Sequence, residues 1–120
     1  MINNKKLKGD EYMLDNIPEK FLPVGTVVML KGGTKRIMIT GYCMLDKKGD
    51  NTKMYDYAGC LFPEGMASSE QTGLFDHSQI EKIYYMGLQD EEQKKFIETI
   101  KNLLATNPNL AKGIPVTETK

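Results

Sequence analysis

The side chains able to do chemistry are few, and their spacing argues against catalysis. The single histidine, His77, stands between Asp76 and Ser78. Those residue types build Ser-His-Asp relays, but relay members come from separate segments, and three chain neighbours cannot aim at one another. Asp76 therefore reads as a turn cap and His77 as a residue at a loop edge. The two cysteines, Cys43 and Cys60, fall in strand-like segments with no companion at metal-ligand or redox-motif spacing. They read as small buried hydrophobes, and a disulfide between them requires neighbouring strands in an oxidising compartment. Glu91-Glu92 opens a helix, where it suits the dipole and has no apolar pocket to raise a carboxyl pKa. Lys31-Gly32-Gly33 with Lys35 and Arg36 suggests a phosphate loop, yet the Walker spacing and its helix-opening Lys-Ser/Thr are missing. The chain reads as non-enzymatic, with no catalytic residues, no cofactor and no metal.

What remains is contact chemistry. Tyr42, Tyr55, Tyr57, Phe62, Phe75, Tyr84 and Tyr85 lie almost wholly in strand segments, where alternation forces some of them to the surface. Eight methionines accompany them, and Tyr and Met are both favoured in protein contact patches. The candidate protein-binding residues are Tyr42, Tyr55, Tyr57 and Phe62, with Glu64, Met66 and Gln71 of the following loop. Tyrosines beside Lys31, Lys35, Arg36 and Lys53 could instead stack nucleic-acid bases, as in small barrels. Sixteen basic residues against sixteen acidic ones leave a formal net charge of zero, which disfavours that alternative because phosphate neutralisation supplies most of such affinity.

The elements that position these residues belong to one domain, as 120 residues predict. An apolar fraction of 40% and a charged fraction of 27% exclude the disordered and fibrous classes. Residues 26–30 form a strand apolar on both faces, and Gly32-Gly33 supplies the positive φ of a tight hairpin. Over 35–45, Ile37, Ile39, Gly41, Cys43 and Leu45 share one face, and Arg36, Met38, Thr40, Tyr42 and Met44 the other. Gly41 marks a bulge or bend. After a solvated loop at 46–53, strands follow at 55–63, 71–75 and 80–86, and Gly87 ends the last. About five short antiparallel strands predict a small, partly open barrel or curled sheet. Asp90, with Gln93 three residues on, caps a helix over 90–105 whose apolar stripe is Phe96, Ile97, Ile100, Leu103 and Leu104. That stripe should cover an open end or face of the sheet, giving an α+β fold, with docking to a partner helix as the functional alternative. Residues 1–20 read as a loosely packed polar arm, 21–105 as the domain and 106–120 as a flexible tail. No apolar run reaches signal-peptide or membrane-spanning length, so the chain is expected in the cytoplasm with reduced thiols and no membrane partner.

The string Leu22-Pro23-Val24-Gly25-Thr26-Val27-Val28-Met29-Leu30-Lys31-Gly32-Gly33-Thr34-Lys35-Arg36-Ile37-Met38-Ile39-Thr40-Gly41 is the first of three ordered motifs. Tyr55-Asp56-Tyr57-Ala58-Gly59-Cys60-Leu61-Phe62-Pro63-Glu64-Gly65 and Phe75-Asp76-His77-Ser78-Gln79-Ile80 follow. In this order they resemble a family of small bacterial proteins, domain-of-unknown-function family 4176, over residues 22 to about 104. Members of that family are encoded in Gram-positive bacteria beside the LXG toxins of type VII secretion. The resemblance implies a cytoplasmic chaperone or targeting adaptor that binds the helical export domain of such a toxin, together with small WXG-like helical proteins. It transfers no catalytic residue. The alternatives are a nucleic-acid-binding small barrel and an immunity protein that blocks a toxin's active site.

Overall fold

The computed structural model describes residues 4–6, 12–14, 17–68 and 72–108. In chain order the elements are β1 (Asn4–Lys6), β2 (Tyr12–Leu14), β3 (Val27–Leu30), β4 (Ile37–Lys48), β5 (Asn51–Leu61), β6 (Gly73–Phe75), a 3-10 turn (His77–Gln79), β7 (Ile80–Tyr85) and α1 (Glu91–Thr106). The strands form one antiparallel sheet in the order β1-β2-β7-β3-β4-β5-β6. Strands β3 to β7 are the five that alternation predicts, but the segment 46–53 is not the solvated loop expected: β4 runs on to Lys48 and β5 begins at Asn51, so only a tight turn separates them. The polar arm adds β1 and β2, which extend the sheet through the pairing of Leu14 with Ile83. The segments of β1 (Asn4-Lys5-Lys6) and β2 (Tyr12-Met13-Leu14) show no apolar-polar alternation, and their contribution is backbone hydrogen bonding that composition does not encode.

The sheet is open but must curl. Strands β6 and β7 lie four places apart in the sheet, roughly 19 Å if it were flat. The link between Phe75 and Ile80 is mostly a 3-10 turn, which advances about 2 Å per residue and spans much less than that distance. Curling brings Phe75, Ile80 and Ile83 into one core with Phe21, Leu22, Val28, Ile39, Tyr57 and Ile100.

A bulge in β4 helps it bend. Ile39 pairs with Gly59 and Gly41 with Ala58, so Thr40 is the extra residue. The bulge falls beside Gly41 as expected, but the face assignment beyond it does not hold. Inserting one residue reverses the alternation, so Tyr42 joins Ile39 on the core side and lies 6.1 Å, ring to ring, from its partner Tyr57. Cys43, at φ 54°, distorts the strand further. Gly59 is required opposite this bend, because a Cβ there would stand 2.6 Å from Ile37 Cγ2 and 2.7 Å from the Met38 carbonyl oxygen.

The β3–β4 connection also differs in detail. Only Gly32 of the glycine pair has positive φ, at 76°. Gly33 N–H donates to the Leu30 carbonyl at 2.9 Å, closing a turn with Gly32 in the position that favours glycine. The link therefore runs from Lys31 to Arg36 and is wider than a two-residue hairpin.

Helix α1 starts where the cap predicts, with Asp90 Oδ1 accepting the Gln93 N–H at 2.9 Å. Ile100 is its one buried residue, 8% exposed, with Ile97 and Leu104 half-buried beside it. Phe96 and Leu103 of the same stripe remain 53% and 54% exposed. Among the described residues no helix is long and apolar enough to cross a membrane.

Candidate protein-binding site

Two constellations could carry function, one polar and one apolar. The polar one surrounds His77. Leu22 N–H donates to the Tyr57 hydroxyl at 3.0 Å, and the hydroxyl lies 2.7 Å from His77 Nδ1. His77 Nε2 lies 2.8 Å from the Pro18 carbonyl oxygen. A carbonyl only accepts, so Nε2 carries a proton, and in the neutral ring Nδ1 accepts from Tyr57. Burial is the main cause that lowers the His77 pKa, with the Lys20 charge adding to it, against the opposing Pro18 hydrogen bond and Asp56 charge. The Tyr57 phenol is pushed well above its ordinary value, chiefly by burial.

Carboxylates fix the same turn to β5. Asp56 Oδ2 accepts the His77 N–H at 2.9 Å, and Asp76 Oδ1 accepts the Asp56 N–H at 3.1 Å. Lys20 pairs with Asp56 and Lys53 with Asp76, each at 3.1 Å. Gln79 Oε1 accepts the Asp76 N–H at 2.8 Å, so Asp76 sits at a capped turn as its sequence context suggests. His77 is half-buried and wedged against Tyr57, a correction to its placement at a loop edge. Both ring nitrogens are engaged within the protein, and the adjoining depression is wide and open. Among the described residues no group of three or more His, Cys, Asp or Glu side chains is arranged to hold a metal ion.

The apolar constellation is a groove of about 480 Å³ between α1 and the β4–β5 ribbon. Val24, Tyr42, Cys43, Leu45 and Met54 line it from the sheet side, and Phe96 and Leu103 from the helix. The bulge positions Tyr42 here, where its hydroxyl donates to the Leu22 carbonyl at 2.6 Å and its ring meets Phe96 at 6.1 Å. Burial raises the Tyr42 pKa, and burial followed by the Asp56 charge raises that of Cys43. Both groups are therefore neutral near pH 7 and suit an apolar occupant. Cys43 and Cys60 are free thiols.

The residues singled out from sequence do not form one surface. Tyr42 belongs to the groove. Tyr57 is wholly buried, its ring packed against Phe21 and Phe75, so it supports the core and cannot touch a partner in this conformation. The expected exposure fails because β5 is paired on both sides, with β4 and β6, and the curled sheet turns the Tyr57 face toward the core. Tyr55 is half-buried on the ribbon, with Lys53 Nζ 4.6 Å from its ring centre. Phe62 lines a different recess, and Glu64 is exposed and paired with Lys35 at 2.6 Å. Met66 is exposed and its sulfur accepts from Thr72 Oγ1, while Gln71 lies outside the described residues. Sequence reasoning places Phe96 and Leu103 on a stripe that a partner helix could meet, but gives no sign of Val24, Cys43, Leu45 and Met54 opposite them. The one available signal was a helical stripe wider than a single docking ridge needs.

A family model described as domain of unknown function (DUF4176) matches residues 21–96, from the buried Phe21 through β7 and into the first turns of α1. No curated protein and no solved structure matches the chain. With more than half of its length matched, the curled sheet and its capped helix start included, the chain belongs to the DUF4176 family.

Proposed function

We propose that this protein is a non-enzymatic accessory protein, a cytoplasmic chaperone or targeting adaptor, that seats an apolar helix of a client between α1 and the β4–β5 ribbon. The observation that carries the reading is the half-used stripe of α1. Ile100 is buried, while Phe96 and Leu103 stay half exposed and face the same groove as the exposed Val24 and Leu45. Fully burying one large apolar side chain is worth about 1.5–3 kcal/mol, so a client covering several of these gains enough to offset the cost of association. Laying an amphipathic helix into an apolar groove is a common mode of peptide recognition.

The family resemblance suggests the client: the helical export domain of an LXG toxin of the type VII secretion system, with WXG-like helical proteins as further components. Such a domain exposes apolar stripes before export, and covering one stabilises the client by mass action while fixing its orientation. Co-expression with the neighbouring toxin's amino-terminal domain, followed by size-exclusion chromatography, tests this. A co-eluting complex that leaves toxin activity intact is expected. Separate elution across several salt concentrations contradicts it, and binding to the toxin's carboxy-terminal domain with loss of activity assigns an immunity role instead.

A further inference from the structure

The outer face of the sheet carries a second recess, whose lining residue Gly25 adjoins Val24 of the groove under α1. Val27 pairs with Tyr85 and with Met38, whereas their neighbours Val28 and Ile83 belong to the core. Val27, Met38 and Tyr85, together with Arg36, Phe62 and Tyr84, line about 430 Å³ of space. Val27 is only 4% exposed, while Tyr85 beside it is 60% exposed. The recess is therefore an apolar floor with an aromatic rim.

Arg36 gives that floor a charge. Its guanidinium carbon lies 5.2 Å from the Phe62 ring centre and 5.7 Å from that of Tyr84. Among the described residues no carboxylate lies within ion-pair distance of it. Glu64, whose carboxyl is held below its ordinary value first by Lys35 and more weakly by Arg36, forms its ion pair with Lys35. Ring faces attract the cation without accepting conventional hydrogen bonds, and among the described residues no hydrogen bond or ion pair takes the N–H donors of the Arg36 rim. The bidentate match for that rim is a carboxylate. A phosphate, more heavily charged and hydrated, is poorly served by one cation above an apolar floor.

The recess is open along Tyr85, unlike small-molecule pockets, which enclose most of their ligand. Its Arg, Tyr and Met content is that of a protein contact centre. We propose that this recess is a second docking site, one that takes a segment of a partner protein carrying an Asp or Glu beside a large apolar side chain. The carboxylate forks the Arg36 guanidinium, and the apolar side chain rests on Val27 and Met38 against Tyr85. It shares no lining residue with the α1 groove.

Selecting a random-peptide phage library against the full chain tests the site. Enriched peptides are expected to carry Asp or Glu next to an aromatic or branched aliphatic residue, and to shift the amide resonances of Val27, Met38 and Tyr85. Their affinity should fall roughly tenfold or more on Arg36→Gln, as loss of a charge-assisted pair implies. It should also fall on Tyr85→Ser, a substitution at an exposed ring that leaves the fold intact, and should be unchanged by Leu103→Asp in the α1 groove. No enrichment, enriched peptides lacking a carboxylate, or affinity indifferent to both recess substitutions overturns the proposal. Peptides lost on Leu103→Asp and kept on Arg36→Gln also overturn it and belong to the α1 groove.

Discussion

Protonating His77 rearranges the hydrogen bonds that hold it. Nε2 already donates to Pro18, and a proton on Nδ1 turns the Tyr57 hydroxyl from donor to acceptor. Burial, the leading cause, lowers the pKa of His77 in the folded protein below its ordinary 6.5, so the unfolded chain takes up the proton more readily. The resulting stabilisation is complete above that ordinary value and is lost as pH falls through the interval down to the lowered folded value. Because His77 is the sole histidine, the effect is separable from carboxylate titration at lower pH. The urea midpoint of the native chain should drop between about pH 7.5 and about pH 5.5, and His77→Gln, though less stable, should lack that drop; equal pH slopes would contradict the assignment. Tyr57→Phe keeps the ring but leaves the Leu22 N–H without its partner, and should cost about 1–3 kcal/mol in denaturant unfolding. A loss under about 0.5 kcal/mol would mean that water replaces the hydroxyl. None of this network was legible in the sequence. His77 and Tyr57 lie twenty residues apart, and the pairing of Tyr57 with Phe75 followed by the 3-10 turn brings them together.

At the level of elements, the bend of β4 and the docking of α1 decide what the surface offers. Gly59→Ala puts a methyl group against the Ile37 side chain and the Met38 carbonyl, and should destabilise by about 1–3 kcal/mol, read as a lowered thermal midpoint. The α1 stripe divides into an anchoring half and a presenting half. Ile100→Ala should cost about 2–4 kcal/mol, while Leu103→Ala should stay under about 1 kcal/mol. Similar losses at the two positions would mean that the helix is fully docked and the groove closed. Much at this scale was readable: the five body strands, the Asp90 cap, the position of the bulge and the α1 stripe all follow from local pattern. The consequence of the bulge was not. One extra residue at Thr40 moves Tyr42 from the outer to the inner row, and the two periods on either side look alike in sequence. The division of the stripe was hidden for a related reason, since periodicity shows which residues share a face and not how far the opposing sheet reaches across it.

At the scale of the whole molecule, the curled sheet presents apolar surface on two sides. The α1 groove and the Arg36 recess are shallow, and neither gathers a nucleophile with a base. Of the hairpin cations that sequence offered to nucleic acid, Lys35 is paired with Glu64, and Arg36 lies beside the Phe62 and Tyr84 rings above an apolar floor. This distribution is why a client protein is the proposed ligand. Isothermal titration of the toxin's amino-terminal domain into the native chain and into a folded Phe96→Asp/Leu103→Asp variant is the most direct measurement. The account predicts a saturable complex with the native chain and at least a roughly tenfold weaker one with the variant, as expected when charges replace buried apolar contacts. Equal affinity for the two chains, or no heat of binding to the native chain at any salt concentration, would contradict it.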